Sequence, residues 1–133
     1  MIVADTNLIA YLAMPSPYTE DAQRLLVRDP EWVAPVLWRS EFRNVLALYL
    51  RKGLIRFEQA LDIQAEMESL FQGKEYEVAS LDVLSLVNQS ECSAYDCEFV
   101  ALAKGLGVKL VTMDRKLVSC FPDTATLLTD LKS

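Results

Sequence analysis

The sequence predicts an α/β fold in which a mainly parallel, five-stranded sheet is covered by helices on both faces. Short apolar runs alternate along the chain with longer segments whose apolar residues recur at helical spacing. Because parallel strands need long crossovers, this alternation favours a parallel sheet with right-handed connections. A length of 133 residues, of which 52% are hydrophobic, fits one domain over residues 1–133 that builds a full core without disulfides.

The first half of the chain contains two predicted strands, residues 1–4 and 32–34, which are short apolar runs suited to a buried position. Residues 7–13 and 20–28 have helical spacing, and the prolines at positions 15 and 17 separate the two helices. A long amphipathic helix is predicted at residues 37–52 and a second at residues 57–71. Gly53 and Gly73 end them.

The second half continues the alternation. Residues 81–88 and 95–106 are predicted helices, the latter ended by Gly107, since glycine is the usual residue just past a helix end. Strands are predicted at residues 76–79, 108–112 and 125–128. No repeat or long linker interrupts the pattern.

Composition excludes several classes of protein. The chain contains no histidine, which removes Ser-His-Asp triads and the usual zinc enzyme sites. The net charge of -6 argues against broad attraction to nucleic acid but leaves room for a local basic rim. Cys92, Cys97 and Cys120 are expected to be reduced, partly buried thiols in a cytoplasmic protein. Neither a membrane span nor a signal peptide is expected.

Two acidic residues, Asp5 and Asp114, come just after predicted strands. Ligands of parallel α/β sheets bind outside the carboxyl ends of the strands, so this rule brings the two acids together. Each has a simpler explanation, because aspartate is a preferred N-cap. Asp5 would cap the first helix, and Asp114 a turn that begins at Arg115.

Two further acids lie on the apolar faces of predicted helices. Glu41 shares a stripe with Leu37 and Val45, and a buried glutamate needs a partner or a cation. Its simpler explanation is a rim residue that reaches solvent. Asp96 shares a face with apolar residues of its own helix, and its simpler explanation is a capping box with Ser93 as the N-cap.

The convergence of all four acids in one topology weakens these separate explanations. Two like charges about 4 Å apart repel by about 4 kcal/mol at an effective dielectric of 20, so clustered carboxylates take up protons or bind a cation. Oxygen ligands without histidine favour Mg²⁺ or Mn²⁺ over Zn²⁺ or Cu²⁺. The sequence therefore predicts a divalent-metal site and, with it, phosphodiester hydrolysis.

The chain resembles the PIN-domain ribonucleases, and within them the VapC-type toxins of toxin–antitoxin pairs, in three segments. These are VADTN at 3–7, APVLWRSEFRNVL at 34–46 and YDCEFVALAKGLGVKLVTMDRKL at 95–117. The resemblance implies a PIN-like three-layer α/β/α fold and metal-dependent, single-strand-selective RNA hydrolysis that leaves 5′-phosphates. It also implies Mg²⁺ or Mn²⁺ as cofactor, a homodimer and a silencing antitoxin.

The resemblance also assigns roles to particular residues. The catalytic and metal-binding quartet is Asp5, Glu41, Asp96 and Asp114, and the residues that support it through hydrogen bonds are Thr6, Asn7 and Thr112. Some relatives carry a further acid shortly after the last aspartate. Here those positions are basic or apolar, which implies weaker binding of any second ion.

Four basic residues near the site segments are candidate contacts to the RNA backbone, with solvated surface charge as the simpler explanation: Arg39, Arg43, Arg115 and Lys116. Trp38 and Tyr95 are candidates for base stacking, although packing is the commoner role. The alternatives are a non-catalytic PIN-fold interaction module, a PIN nuclease of RNA processing without an antitoxin, and an aspartyl-phosphate protein. The last is disfavoured because receiver domains need an acid pair after the first strand.

Overall fold

The computed structural model describes residues 1–131, and Lys132 and Ser133 of the predicted domain lie outside the described part. The strands are β1 (Ile2–Ala4), β2 (Trp32–Pro35), β3 (Glu75–Tyr76), β4 (Leu110–Thr112) and β5 (Ala125–Leu127). The helices are α1 (Thr6–Ala13), α2 (Thr19–Arg28), α3 (Trp38–Arg51), α4 (Phe57–Leu70), α5 (Ser80–Gln89), α6 (Ala94–Leu106) and α7 (Arg115–Cys120). A short 3-10 helix, Leu128–Asp130, follows β5.

The sheet is parallel throughout and has the strand order β3-β2-β1-β4-β5. The chain therefore builds outward from β1 through β2 to β3, then returns to the other side of β1 for β4 and β5. Strand order reverses between β1 and β4, which pair in the register Val3↔Leu110 and Ala4↔Val111. In open α/β sheets this reversal is where ligands bind, beyond the carboxyl ends of the strands.

The central strands are buried on both faces. Val3, Ala4, Ala34, Leu110 and Val111 have no more than 1% of their surface exposed, which is the pattern of strands covered by helices on each side. The fold is thus the predicted α/β arrangement with a five-stranded sheet, and the sheet is fully rather than mainly parallel.

The helices carry the local signals expected from the sequence. Gly107 follows α6 with a φ of 68°, and its N–H donates to the carbonyls of Ala103 and Lys104, so a left-handed residue ends this helix.

Trp38 begins α3 and is wholly buried, with its ring centroid 5.0 Å from that of Phe71. Trp38 therefore packs in the core rather than stacking on bases.

Several predicted boundaries differ from the structure, among them the start of β4 at Leu110 rather than residue 108, and the helix after Asp114 was missed. The third strand was predicted at residues 76–79 but is only Glu75–Tyr76. The N–H of Val36 donates to the Tyr76 carbonyl, and then β2 gives way to α3, so residues 77–79 have no strand to pair with. Leu128 begins the 3-10 helix instead of ending β5. The segment after Asp114, predicted as a turn, is the six-residue helix α7.

The described residues also bear on membrane spanning and on the cysteines. Within residues 1–131, no helix combines the length and the apolar character needed to cross a membrane. Cys92 and Cys97 are buried free thiols, and Cys120 is a half-buried one, as predicted.

Candidate active site at the carboxyl edge of the sheet

Asp5 stands where β1 gives way to α1. Its N–H donates to the Val111 carbonyl at 3.1 Å, which continues the pairing of β1 with β4 by one residue. Its Oδ1 accepts from the N–H of Thr6 at 2.8 Å, and its Oδ2 accepts from the Thr112 hydroxyl at 2.6 Å. Only 8% of Asp5 is exposed. Asp5 is therefore both the N-cap of α1 and a nearly buried carboxylate.

The pKa of Asp5 is raised, and burial is the main cause. The hydrogen bonds from Thr112 and Thr6 lower this pKa, and the negative charges of Asp96 and Asp114 raise it further. Two carboxylates that are distant in sequence therefore lie within electrostatic reach of Asp5.

Asp114 is the N-cap of α7, as Asp5 is the N-cap of α1. Its Oδ1 accepts from the N–H groups of Lys116 at 2.9 Å and Leu117 at 3.3 Å, which satisfies two free donors of the first helical turn. The N–H of Asp114 donates to the Thr112 hydroxyl at 3.0 Å. Both simpler explanations are thus confirmed, since the two aspartates do cap helices. Capping leaves Asp114 Oδ2 without a hydrogen bond among residues 1–131.

Glu41 lies in the first turn of α3 and is half-buried. Thr6 donates its hydroxyl to Glu41 Oε1 at 2.6 Å, so this glutamate has a protein partner. Burial raises the pKa of Glu41, the Thr6 hydrogen bond lowers it, and the charges of Asp5, Asp96 and Glu98 raise it again. Glu41 therefore lies within electrostatic reach of Asp5 and Asp96.

Asp96 occupies the first turn of α6. Ser93 is the expected N-cap, because its hydroxyl accepts from the N–H of Asp96 at 3.1 Å, but the second bond of a capping box, from the Ser93 N–H to the Asp96 carboxylate, is not formed within residues 1–131. Burial raises the pKa of Asp96, the charge of Asp114 raises it further, and Ser93 and Lys116 lower it. The cap uses the Ser93 side chain and the Asp96 backbone, so the Asp96 carboxylate is a separate group within electrostatic reach of Asp114.

The four acids form one electrostatic group at the edge where β1 and β4 end. Mutual repulsion links Asp5 to Asp96 and Asp114, Glu41 to Asp5 and Asp96, and Asp96 to Asp114. In residues 1–131, no three acidic or thiol side chains stand close enough together to form a ready-made cation site. The acids are therefore linked by mutual repulsion rather than by direct contact.

The other residues that the sequence predicted at the site are either buried or exposed. Thr6 and Thr112 are buried and bond to the acids as described, whereas Asn7, Arg43, Arg115 and Lys116 are exposed. Asn7 follows Thr6 in the first turn of α1, and Lys116 lies close enough to Asp96 to lower the pKa of that carboxyl. Tyr95 is 63% exposed beside Asp96.

Arg39 does not belong with these exposed cations. Its Nε and Nη2 donate to the two carboxylate oxygens of Glu75 at 2.6 and 2.8 Å, and its Nη1 donates to Glu68 at 3.0 Å. Trp38 donates its indole N–H to the same Glu75 carboxylate at 2.7 Å. These bonds tie the start of α3 to β3 and α4. They make Arg39 a structural ion-pair residue, contrary to its interpretation as an RNA contact.

One acid near the site was missed in the sequence. Glu98 lies two residues after Asp96, is half-buried, and has its pKa raised by burial. Its charge raises the pKa of Glu41. A signal was available, because Glu98 is a charged residue between the apolar residues Cys97 and Phe99 of α6.

Comparison with known proteins gives a consistent result. The PIN domain family matches residues 2–121. The chain is 31% identical over 128 residues to "Ribonuclease VapC3" of Pyrobaculum aerophilum, which covers 94% of this chain and 98% of the relative. The solved structure of PAE2754 from Pyrobaculum aerophilum superposes with a TM-score of 0.76 at 22% identity, over 96% of this chain and 90% of that one.

A second solved structure shares the fold. It is a toxin–antitoxin complex from Klebsiella pneumoniae, which superposes with a TM-score of 0.72 at 16% identity over 95% of this chain and 97% of that one. At such identities the structures show the fold alone. The family match spans most of the sequence and includes all four acids. The chain therefore belongs to the PIN domain family.

Proposed function

We propose that this protein is an endoribonuclease that depends on Mg²⁺ or Mn²⁺, and that it is the toxin of a toxin–antitoxin pair acting in the cytoplasm. The observation that carries the proposal is the group of four carboxylates at the carboxyl edge of the sheet, in which Asp5, Glu41 and Asp96 are each repelled by another member. The ribonuclease name of the Pyrobaculum relative, which aligns over nearly all of both chains, supports the same activity.

The donor set fits a hard dication. Asp5, Asp96 and Asp114 are the proposed ligands, with Glu41 ligating directly or through water. All four supply oxygen, which Mg²⁺ and Mn²⁺ prefer. The raised pKa values of Asp5, Glu41 and Asp96 fit as well, because carboxylates that are costly to ionise together become favourable beside a cation. When bound, such an ion lowers the pKa of a water molecule and neutralises charge on the phosphate.

The protein's own hydrogen bonds hold the ligands in place. Thr112 fixes the orientation of Asp5, and Thr6 fixes that of Glu41. Asp114 is held by cap bonds to Oδ1 only, so its Oδ2 is the oxygen proposed to face the ion. Each carboxylate oxygen has two lone pairs, so Asp5 retains acceptor capacity although both of its oxygens are bonded.

Local cations are proposed to guide RNA to a protein whose net charge is -6. Arg115 and Lys116 are exposed in the first turn of α7, next to the last acid of the quartet, and Arg43 is exposed on α3. These three residues are the proposed phosphate contacts. Because they are few, RNA binding is proposed to depend on the acidic site as well as on attraction between these cations and the phosphates. Arg39 is not proposed as a phosphate contact, because its guanidinium forms ion pairs with Glu68 and Glu75. Asn7 presents an exposed amide beside the site.

A partner protein and a second copy both need apolar contact surface. Large apolar side chains are exposed at the end of α3, in the turn to α4 and at the start of α4: Leu48, Leu54, Phe57 and Leu61. Exposed apolar side chains of this size are enriched at interaction sites. Together with the fold shared with a toxin–antitoxin complex, they support an antitoxin partner and a homodimer.

The direct test is cleavage of single-stranded RNA by purified protein with Mn²⁺ and with EDTA. The wild-type protein should cut only with Mn²⁺ and leave 5′-phosphates, and Asp5→Asn should reduce the rate by at least about 100-fold, as is usual when a key electrostatic group is removed. Asp62→Asn is the matched control, because Asp62 is an exposed acid on α4. It should cleave like the wild type.

Three outcomes would count against the proposal. Full Mn²⁺-dependent activity of Asp5→Asn would remove the quartet from the mechanism. No cleavage and no Mn²⁺ binding by a folded wild-type protein would indicate a non-catalytic PIN-fold interaction module. Cleavage without growth arrest on expression, and without a co-purifying partner, would indicate a nuclease of RNA processing rather than a toxin.

A further inference from the structure

The start of α3 lacks the side-chain cap that the other three helices beside the four acids have. Asp5 caps α1, Ser93 caps α6 and Asp114 caps α7, each through a side-chain oxygen. The N-cap of α3 is Leu37, whose side chain has no hydrogen-bond acceptor. Glu41, the acid that α3 contributes, lies in this uncapped first turn. The position of Glu41 therefore depends on a different support.

That support comes from two consecutive side chains of α3 that bind one carboxylate. Trp38 donates its indole N–H to Glu75 Oε2 at 2.7 Å. Arg39 donates Nε to the same oxygen at 2.6 Å and Nη2 to Glu75 Oε1 at 2.8 Å. Two-point pairing of a planar guanidinium with a carboxylate fixes direction as well as distance. Glu75 therefore holds the first turn of α3 by three hydrogen bonds.

Glu75 is itself held firmly in the sheet. It lies in β3 and pairs with Ala34 of β2. The residues directly before and after it, Lys74 and Tyr76, accept backbone hydrogen bonds from the neighbouring segment at 3.1 and 3.0 Å. Only 16% of the Glu75 side chain is exposed, and low exposure strengthens a hydrogen-bonded ion pair relative to one in open solvent. The Glu75 carboxylate is therefore a fixed point to which α3 is fastened.

We propose that Glu75 is a positioning residue, which holds Glu41 in the acidic site through the first turn of α3. Glu41 follows Trp38 and Arg39 by three and two residues, within one turn whose backbone hydrogen bonds make it move as a unit. The Thr6 hydroxyl holds the carboxylate end of Glu41 at 2.6 Å, and Glu75 holds the backbone end. Glu41 is thus fixed at both ends.

Loss of the Glu75 carboxylate should weaken cation binding and slow RNA cleavage. Both effects rest on the proposed function, in which Glu41 ligates the ion directly or through water. Removing an outer partner of a metal ligand typically lowers metal affinity or activity about 10–100-fold. The KM for RNA should stay unchanged, because Arg115 and Lys116, two of the proposed phosphate contacts, belong to α7.

The experiment measures the Mn²⁺ affinity of the full chain by titration calorimetry, and kcat and KM for single-stranded RNA. Glu75→Gln keeps the size of the side chain but removes its charge and one of its two acceptor oxygens. It should weaken Mn²⁺ binding and lower kcat by about tenfold each. Glu68→Gln is the matched control, because Glu68 pairs with Arg39 Nη1 at 3.0 Å while all three bonds to Glu75 remain. It should bind Mn²⁺ and cleave RNA like the wild type.

A double-mutant cycle separates positioning from general destabilisation. Glu75→Gln should cause no further loss of Mn²⁺ affinity in a Glu41→Gln background, because it acts only through Glu41. A purely structural role would lower the affinity by the same factor in both backgrounds. If Glu75→Gln does not fold, Arg39→Lys replaces it, since lysine keeps the cation but cannot pair with both carboxylate oxygens. Arg39→Lys should weaken Mn²⁺ binding in the same direction and also only when Glu41 is present.

Three results would overturn the proposal: wild-type Mn²⁺ affinity and kcat in the folded variant, equal losses with and without Glu41, or an equal loss in Glu68→Gln. If such a result accompanies normal cleavage by the wild type, the ribonuclease proposal stands and only the positioning role fails. If Glu75→Gln weakens Mn²⁺ binding through Glu41 while even the wild type cleaves no RNA, the positioning role stands and the ribonuclease proposal fails. A folded wild type that binds no Mn²⁺ would overturn both.

Discussion

Thr112 joins the ends of two neighbouring strands to the acids that follow them, because its hydroxyl donates to Asp5 Oδ2 at 2.6 Å. The same hydroxyl accepts from the N–H of Asp114 at 3.0 Å. Thr112 is fully buried, so water cannot replace either bond. One side chain thereby fixes the spacing of the first and last acids of the quartet, which lie more than 100 residues apart in the sequence.

Thr112→Val should therefore lower both stability and activity. The substitution keeps the shape but removes two hydrogen bonds, one of them to a carboxylate, so the free energy of unfolding should fall by about 1–3 kcal/mol. Urea unfolding measures this loss, and an RNA cleavage assay measures the loss of activity. Thr112→Ser keeps the hydroxyl and should retain most of both. Equal behaviour of the Val and Ser variants would mean that the bridge is not what orients Asp5.

Asp114 has two roles that substitution can separate. Asp114→Asn should keep the N-cap of α7, because asparagine caps as well as aspartate does, yet it removes the charge and should abolish cleavage. Asp114→Ala removes both functions and should also destabilise the protein by about 0.5–2 kcal/mol. Urea unfolding and cleavage assays on the two variants distinguish the roles. An Asn variant as unstable as the Ala variant would contradict the capping assignment.

Stability without metal should fall as pH rises through the titration of the acidic group. The unfolded chain titrates near the ordinary values of 3.8 for Asp and 4.5 for Glu, and burial raises the folded pKa values of Asp5, Glu41 and Asp96 above these. Between the two values the folded state holds more protons. This contribution to stability is therefore complete below the unfolded pKa and is lost as pH rises through the folded pKa.

The measurement compares wild type with Asp5→Asn in EDTA from about pH 4 to about pH 8, by urea unfolding. The wild type should lose stability relative to the variant as pH rises, by at most about 1.4 kcal/mol per pH unit for this group. Glu75 acts in the opposite direction, because the hydrogen bond from Arg39 lowers its pKa, but it contributes equally to both proteins. A stability difference that is independent of pH would show that the Asp5 pKa is unshifted.

Arg39 and Arg115 should respond differently to the same substitution. Arg39→Ala breaks the ion pairs to Glu75 and Glu68 and should lower the urea midpoint, with RNA affinity unchanged once the protein is folded. Arg115→Ala removes an exposed cation beside the site and should weaken RNA binding with little effect on stability. Fluorescence anisotropy with labelled RNA, at two salt concentrations and on an Asp5→Asn background, measures the binding. A weaker salt dependence for Arg39→Ala would restore its role as an RNA contact.

The sequence predicted the architecture well because apolar strands and amphipathic helices alternate clearly along it. It also predicted that Asp5 and Asp114 lie near one another, since both follow strands that end at one edge of a parallel sheet. The sequence did not predict contacts that depend on how separate strands and helices are aligned with one another. The bridge through Thr112, the Thr6–Glu41 bond and the capture of Arg39 by Glu75 each join residues at least 35 positions apart.

The sequence also did not predict the shortest helices and strands correctly. The six residues of α7 cover less than two helical turns, too few for periodicity to identify, and β3 ends when its partner strand ends rather than at a residue of its own. Glu98 lies near the start of α6, and its closeness to Glu41 depends on how α6 packs against α3, which the sequence does not show.

The most direct test of the central account is thermal unfolding of wild type and Asp5→Asn with Mn²⁺ and with EDTA. Without metal, the variant should be as stable as the wild type within about 1 kcal/mol, or more stable, because it lacks one of the repelling charges. Mn²⁺ at about 100 times its dissociation constant should stabilise the wild type by about 2.7 kcal/mol and the variant far less. Equal stabilisation of the two proteins, or none in either, would contradict a cation site built on these acids.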